Sequence, residues 1–276
     1  MTNDGKTQMV GEGQEARRRG RPGSGQPESI QSLVKALAIL DVLANANEPV
    51  GVTEIAHQVG VPKATAHRLL ATLHANDAAT YNPETQRYGL GPAIMRYGLL
   101  GVQRLSLHRL GRPQIEKLHK QTGETAVLAI RQGDVKVFLD QIESQEEIRH
   151  KATLGYRLPL YHGGAGHAIL AFMSGEEQKA YLSHGPFPKV TPTTITDPAK
   201  LRKELELVRQ RRYAVTRSDR VTSIGAPVID HTGTVIGALA VFAPTFRTAP
   251  EKVTKFAELT REAADELSIS LGHAPG

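Results

Sequence analysis

The twenty residues from Val52 to Ala71 constrain this chain more than any other stretch. Two short segments of helical periodicity meet there at a turn. Ala56 is small where the second helix must cross the first. Gly60, four positions later, supplies the positive φ that the turn requires. Ile55, Val59, Val61, Ala66 and Leu69 fall at the inward positions. Pro62 opens the second helix, which runs to about His74 and stops at Asn76-Asp77, where the left-handed conformation is tolerated. The outward face then carries Lys63, Ala64, Thr65, His67 and Arg68, small, polar or basic groups of the kind that reach phosphates and base edges in a major groove. The spacing predicts a helix-turn-helix, with double-stranded promoter DNA as its partner.

The flanking residues fit that reading. Ile30, Leu33, Leu37, Leu40 and Leu43 recur at helical spacing behind Ser29 as N-cap, so an amphipathic helix with those five residues inward is expected. Ala78–Tyr81 and Gln86–Leu90 read as a hairpin around Asn82-Pro83-Glu84-Thr85, a wing from which Arg87 can reach the DNA backbone or the minor groove. Five of the six net positive charges fall in the first 121 residues, which points to a polyanion partner for that half. Residues 50–91 balance Lys63, Arg68 and Arg87 against Glu54, Asp77 and Glu84, so binding there relies on geometry and dimerisation more than on bulk charge.

Residues 1–28 are Gly-rich and poor in apolar side chains, the composition of a disordered basic tail. Within it, Arg19-Gly20-Arg21-Pro22 has the core of the AT-hook. Glycine lets the backbone lie deep in a narrow groove, and Arg19 and Arg21 then point along its floor. A plain basic tail that adds only non-specific attraction is the other reading of the same residues.

Residues 29–91 are thus the DNA-binding domain, 92–121 a linker of dimerising helices, and 122–276 a second domain. In the linker, Leu99, Leu100 and Leu105 are the dimerising residues, and Gly111 and Pro113 should break the helix in two. Beyond it, strand pairs at Thr125–Ile130 with Val135–Gln141 and at Ser223–Ile229 with Thr234–Phe242 mix with helices without βαβ repetition, the signature of an α+β sandwich. Ser174-x-x-Glu177 is a capping box and Asp197-Pro198 opens a further helix. Thr248 and Pro250 open a long terminal helix with Phe256, Leu259, Ala263, Leu267 and Leu271 inward.

Several functions are excluded by what is missing. With 0 cysteines there is no disulfide framework, thiolate metal site or cysteine nucleophile, and the composition fits a reducing cytoplasm. The longest apolar run, Val235–Ala243, is strand-sized, so no membrane span is expected, and no apolar segment follows the polar, arginine-rich N-terminus, so no secretory signal is expected. The chain has no H-E-x-x-H, no G-x-S-x-G and no phosphate-binding P-loop, and His162 and His167 are spaced wrongly for a zinc pair. Neither an enzyme nor a bound metal or cofactor is expected.

Thr53-Glu54-Ile55-Ala56, Gly60-Val61-Pro62-Lys63 and His67-Arg68-Leu69-Leu70-Ala71-Thr72-Leu73 together resemble the winged helix of the IclR family of bacterial transcription regulators. The similarity continues through Arg112-Pro113, Gly123–Leu128, Gly155–Leu160, Gly166–Ala171 and Ile224–Val228 to Gly233 and Gly237–Leu239. The resemblance implies a winged helix with Thr53 among its DNA contacts, a dimerising linker, and a GAF-like effector domain built on a mixed sheet with flanking helices. It implies a homodimer or tetramer that binds promoter DNA and responds to a small metabolite; a promoter-bound dimer most simply blocks polymerase, so a repressor is expected, with an activator of a catabolic operon as the alternative. The chain departs from the family in two places. Asn76-Asp77 stand where a glycine usually begins the strand. The stretch between Tyr213 and Pro227 is short, leaving Asp219 as the nearest acidic candidate for an effector contact.

The effector site is expected under the loop of Leu158, Pro159, Tyr161, His162, Gly164 and Ala165. There Gly163-Gly164-Ala165-Gly166 would offer backbone N–H groups to a carboxylate as it enters a helix. By the resemblance, Pro227 lines the floor. Ala240 and Phe242 fall where some relatives carry hydroxyls, which favours an apolar or aromatic organic acid.

Overall fold

The computed structural model describes residues 30–104 and 106–274, and these divide into two compact units between Gly91 and Pro92. Ser29, Leu105 and the tail arginines Arg19 and Arg21 lie outside the described residues.

The first unit runs α1 (Gln31–Asn45), β1 (Val50–Gly51), α2 (Val52–Val59), α3 (Lys63–Ala75), β2 (Ala79–Asn82) and β3 (Arg87–Leu90). Its sheet has the order β1-β3-β2, antiparallel, with Val50 opposite Tyr88 and Tyr81 opposite Tyr88 on the other side. Ile39, Leu43, Val50, Ile55, Leu70, Ala79 and Tyr88 form the core. The inward face expected for α1 is corrected here. Ile39 and Leu43 are buried, but Ile30 (69% exposed), Leu33 (57%) and Leu37 (55%) face away from the unit. Among the described residues, nothing covers the apolar side chains of the first two turns of α1.

The second unit runs α4 (Pro92–Arg104), α5 (Ser106–Thr122), β4 (Thr125–Gln132), β5 (Val135–Ile142), β6 (Arg157–Pro159), α6 (Gly163–Phe172), α7 (Gly175–Leu182), α8 (Pro198–Arg211), β7 (Ala214–Arg217), β8 (Val221–Ile229), β9 (Val235–Pro244) and α9 (Pro250–Ser270). The sheet order is β6-β5-β4-β9-β8-β7. Every neighbouring pair is antiparallel, where a mixed sheet is expected. Alternate residues of β4, β8 and β9 serve opposite faces. Ala126, Leu128, Ile224, Ala226, Val228 and Leu239 pack under α5 and α9, while Val127, Ala129, Ala238 and Ala240 pack under α6 and α8.

Gly111 and Pro113 do not break the linker, for both lie inside α5. A proline there costs about 3 kcal/mol, but the same helix buries Ile115 and Leu118 completely against the sheet and α9. Gly111 is required by packing, since a Cβ would come within 2.7 Å of Leu128 Cδ2. The capping box at Ser174 and Glu177 forms, and Asp197 caps α8. The N-cap of α9 is Ala249 rather than Thr248, which is buried with its hydroxyl 2.8 Å from that of Thr222. Among the described residues, no helix is long and apolar enough to cross a membrane.

Candidate functional site

The turn between α2 and α3 has the geometry its sequence requires. Gly60 adopts φ 70 and ψ 39, and its N–H and that of Val61 close the end of α2 on the carbonyls of His57 and Ala56. Ala56 and Ala66 are buried where the helices cross. At the end of α3, Asp77 takes φ 56 in place of a glycine, and Ala78 N donates to Leu73 O at 2.8 Å. Gly91 follows β3 so closely packed that a Cβ would lie 2.1 Å from Asp77 O.

This scaffold leaves Lys63, Ala64, His67 and Arg68 exposed along α3, with Thr65 half-buried and Thr53 exposed in the first turn of α2. No acidic residue lies in the first turn of α3, so nothing there opposes an approaching phosphate. Arg87 is exposed beside the wing turn, and its Nη1 donates to Pro49 O at 2.9 Å. The wing turn itself is held by Asn82 Oδ1, which accepts from the N–H groups of Glu84 and Thr85.

The second unit contains a cavity of about 340 Å³ between the sheet, α6 and the loop before α8. Leu158, Tyr161, His162, Ala165 and Phe242, all expected, line it. Pro159, Gly164, Asp219, Pro227 and Ala240, also expected, are not on its wall. Gly164 is buried with its N–H donated to Ser223 Oγ at 3.1 Å, so it offers no donor to a ligand. Its lack of a Cβ serves packing: a Cβ on Gly164 would lie 2.6 Å from Ser223 O, and one on Gly225 would lie 2.5 Å from Ala165 N. The Gly-rich segment is therefore the first turn of α6 laid directly on β8. Pro227 and Ala240 are buried in the sheet, and Asp219 is exposed on the turn after Ser218, which does line the cavity.

Several wall residues carry no motif. Lys136 and Phe138 come from β5, Thr191, Thr193 and Thr194 from the loop before α8, and Val215, Thr216 and Arg217 from β7. Alternation along β5 could have singled out Lys136, a lysine at an inward position of a strand whose neighbours Val135 and Val137 face the other way. Phe138 and Phe242 meet edge to face at 5.6 Å. Lys136 is 2% exposed and its ammonium donates to Pro159 O at 3.0 Å and to His162 O. Burial pushes this ammonium down to about 7, and pushes His162 and His167 down to about 4. His167 is neutral at pH 7 and donates Nε2–H to Tyr161 O at 2.9 Å, which leaves Nδ1 a buried acceptor with no partner among the described residues. No group of three or more His, Cys, Asp or Glu that could hold a metal occurs among the described residues.

A helix-turn-helix with a basic outward face, joined in one chain to a sheet domain that encloses a ligand-sized cavity, defines a ligand-responsive DNA-binding regulator. Comparison with known proteins gives the family. Residues 32–83 match the IclR helix-turn-helix domain and residues 100–269 match the family described as bacterial transcriptional regulator IclR C-terminal. The chain is 35% identical over 265 residues to the HTH-type transcriptional regulator BhcR of Paracoccus denitrificans, covering 92% of this chain and 95% of that one. It is 31% identical over 264 residues to the HTH-type transcriptional repressor AllR of Escherichia coli strain K12, covering 94% and 97%. A crystal structure of an IclR homologue from Microbacterium hydrocarbonoxydans in complex with 4-hydroxybenzoate superposes with a TM-score of 0.75 at 25% identity, covering 87% of this chain and 98% of that one. The chain belongs to the IclR family and is a DNA-binding transcriptional regulator, not an enzyme.

Proposed function

We propose that this regulator is a cytoplasmic repressor, released from its operator when a small organic acid occupies the cavity of the second unit. The cavity carries the reading: about 340 Å³, enough for a compact metabolite, walled by Phe138, Leu158 and Phe242 with Lys136 and His167 as polar points. Tyr161, at the end of the β6 loop, closes one side and stacks on Phe187 at 4.7 Å. The repressor name of AllR and the 4-hydroxybenzoate bound by the Microbacterium homologue support the sign of control and the ligand class.

Lys63, Thr65, His67 and Arg68 of α3, with Ala64, Thr53 and Arg87 beside them, are the residues that meet DNA. A homodimer, alone or paired into a tetramer, places two such helices on a pseudo-palindromic operator. The exposed apolar residues Leu33, Val34 and Leu37 of α1 and Met95, Tyr97, Leu99 and Leu100 of α4 are the surfaces that hold the protomers together. The test is to sequence the DNA retained by the purified protein, then to measure its affinity for that DNA with and without candidate organic acids. Retention of random DNA, or an affinity that no acid alters, refutes the proposal.

A further inference from the structure

Lys136 is a charge without a counter-charge. Its ammonium has three donors, and two are taken by the carbonyls of Pro159 and His162. No carboxylate among the described residues pairs with it. The acidic residue on the cavity wall, Glu204, is bound to Arg211 at 2.6 Å. The remaining titratable wall residues are His150, Tyr161, His162, His167 and Arg217, none of which carries a carboxylate. Burying an unpaired ammonium costs several kcal/mol, and two neutral carbonyls offset only part of that.

The surroundings are shaped around this group. Gly166 of α6 approaches so closely that a Cβ would sit 3.0 Å from Lys136 Nζ and 2.3 Å from Leu160 O, so only glycine leaves room there. Phe138 and Phe242, packed edge to face, give the same cavity an apolar wall. The unpartnered Nδ1 of His167 belongs to a second wall residue that is itself 3% exposed.

Resting on the effector reading above, we infer that Lys136 is the charge-recognising residue of the cavity and restricts its ligand to small carboxylates with an apolar body. A bound carboxylate supplies the missing counter-charge and takes the third donor. An uncharged analogue of the same shape leaves the ammonium unpaired in a site from which water has been expelled. Because burial holds the free ammonium near pH 7, a carboxylate also recruits a proton as it binds at higher pH.

The test uses the full chain and two matched pairs of probes, 4-hydroxybenzoate with 4-hydroxybenzamide and benzoate with benzamide, titrated by calorimetry at millimolar concentration near pH ~6, where the ammonium is charged. The wild type should bind the acids at least about tenfold more tightly than the amides, a difference of about 1.4 kcal/mol. Lys136→Met should lose that preference and bind acid and amide alike. Unchanged acid preference in Lys136→Met, equal binding of acids and amides by the wild type, or binding of no acid at all overturns the inference. If the variant does not fold, the wild-type acid-to-amide ratio is followed from pH ~6 to ~9, where it must fall as the ammonium neutralises. A ratio that stays level overturns the inference. Operator affinity is read in parallel. Acids that bind through Lys136 without changing DNA affinity leave this inference standing and refute control by the cavity. Release by an uncharged ligand alone does the reverse.

Discussion

Replacing Lys136 by methionine should change the pH dependence of stability in a direction that its burial dictates. In the unfolded chain the ammonium keeps its ordinary value of 10.5, whereas in the fold burial brings it to about 7. Between those values the unfolded chain binds a proton that the folded chain does not, so wild-type stability rises with pH across the window and levels off on either side. The whole difference corresponds to about 5 kcal/mol at 1.36 kcal/mol per unit of pKa. Below pH 7 that cost is fully present, and methionine removes it. Methionine also removes the lysine donor from the carbonyls of Pro159 and His162, at about 0.5–1.5 kcal/mol each, although Pro159 O keeps the His162 N–H at 3.3 Å. The absolute change near pH 6 is therefore a difference of opposing costs, but the carbonyl cost does not depend on pH and the charge cost does. From pH ~7 to ~9 the wild type should gain on the variant by about 2 kcal/mol, the slope approaching about 1.4 kcal/mol per pH unit above the midpoint. Urea unfolding of both proteins at pH ~6, ~7, ~8 and ~9 measures this, and groups common to both cancel in the difference. Parallel stability profiles for the two proteins would show that Lys136 is not a buried charge in the folded state, and the reasoning fails.

Three further outcomes follow from the fold. Lys63→Ala with Arg68→Ala should abolish specific operator binding while leaving the oligomer intact, each lost guanine contact costing about 1–3 kcal/mol; unchanged affinity at moderate salt in a shift assay removes α3 from the interface. Leu37→Asp with Leu99→Asp should convert the protein to monomers in sedimentation and weaken DNA binding with it, since both side chains are exposed and apolar here; dimers that persist would place the interface elsewhere. Asp140 is 8% exposed, accepts from Arg112 Nη1 at 3.0 and 3.2 Å and lies 3.1 Å from His108 Nε2, so Asp140→Asn should cost about 2 kcal/mol in urea unfolding.

Much of the first unit can be read directly from the sequence because its determinants are local. Gly60 must have positive φ, Pro62 must precede a helix, and Asn76-Asp77 can stop one, and each does so. The error in α1 is of a different kind. Helical periodicity correctly marks Ile30, Leu33 and Leu37 as one apolar face, but it is silent on whether that face meets its own chain. The tiny strand β1 was invisible for the same reason: two residues carry no period, and Val50 is a strand only because Tyr88 lies opposite.

The cavity shows where local reading stops. Gly163-Gly164-Ala165-Gly166 suggests open backbone, and open backbone suggests an anion. What a glycine leaves room for, however, is decided by its spatial neighbours. Gly164 and Gly225 are 61 positions apart, and each lacks a Cβ because the other chain segment occupies that volume. The polar residue that does bear a buried charge, Lys136, carries no motif; only its inward place in the alternation of β5 marks it. Its significance depends on contacts with Pro159 and His162, on the glycine at 166 and on the pairing of Glu204, the acid of the cavity wall, with Arg211. A bulge sharpens the contrast along the same strand. The register of β5 slips between Phe138, opposite Ala129, and Asp140, opposite Leu128. Phe138 therefore lines the cavity, while Leu139 packs into the core beneath α5 and α9 and Asp140 bonds to His108 and Arg112 of α5. Strict alternation would return Asp140 to the cavity side, beside Lys136 and Phe138, as a candidate counter-charge. The extra residue turns it to the opposite face, and the ammonium is left for an anion that comes from outside the chain.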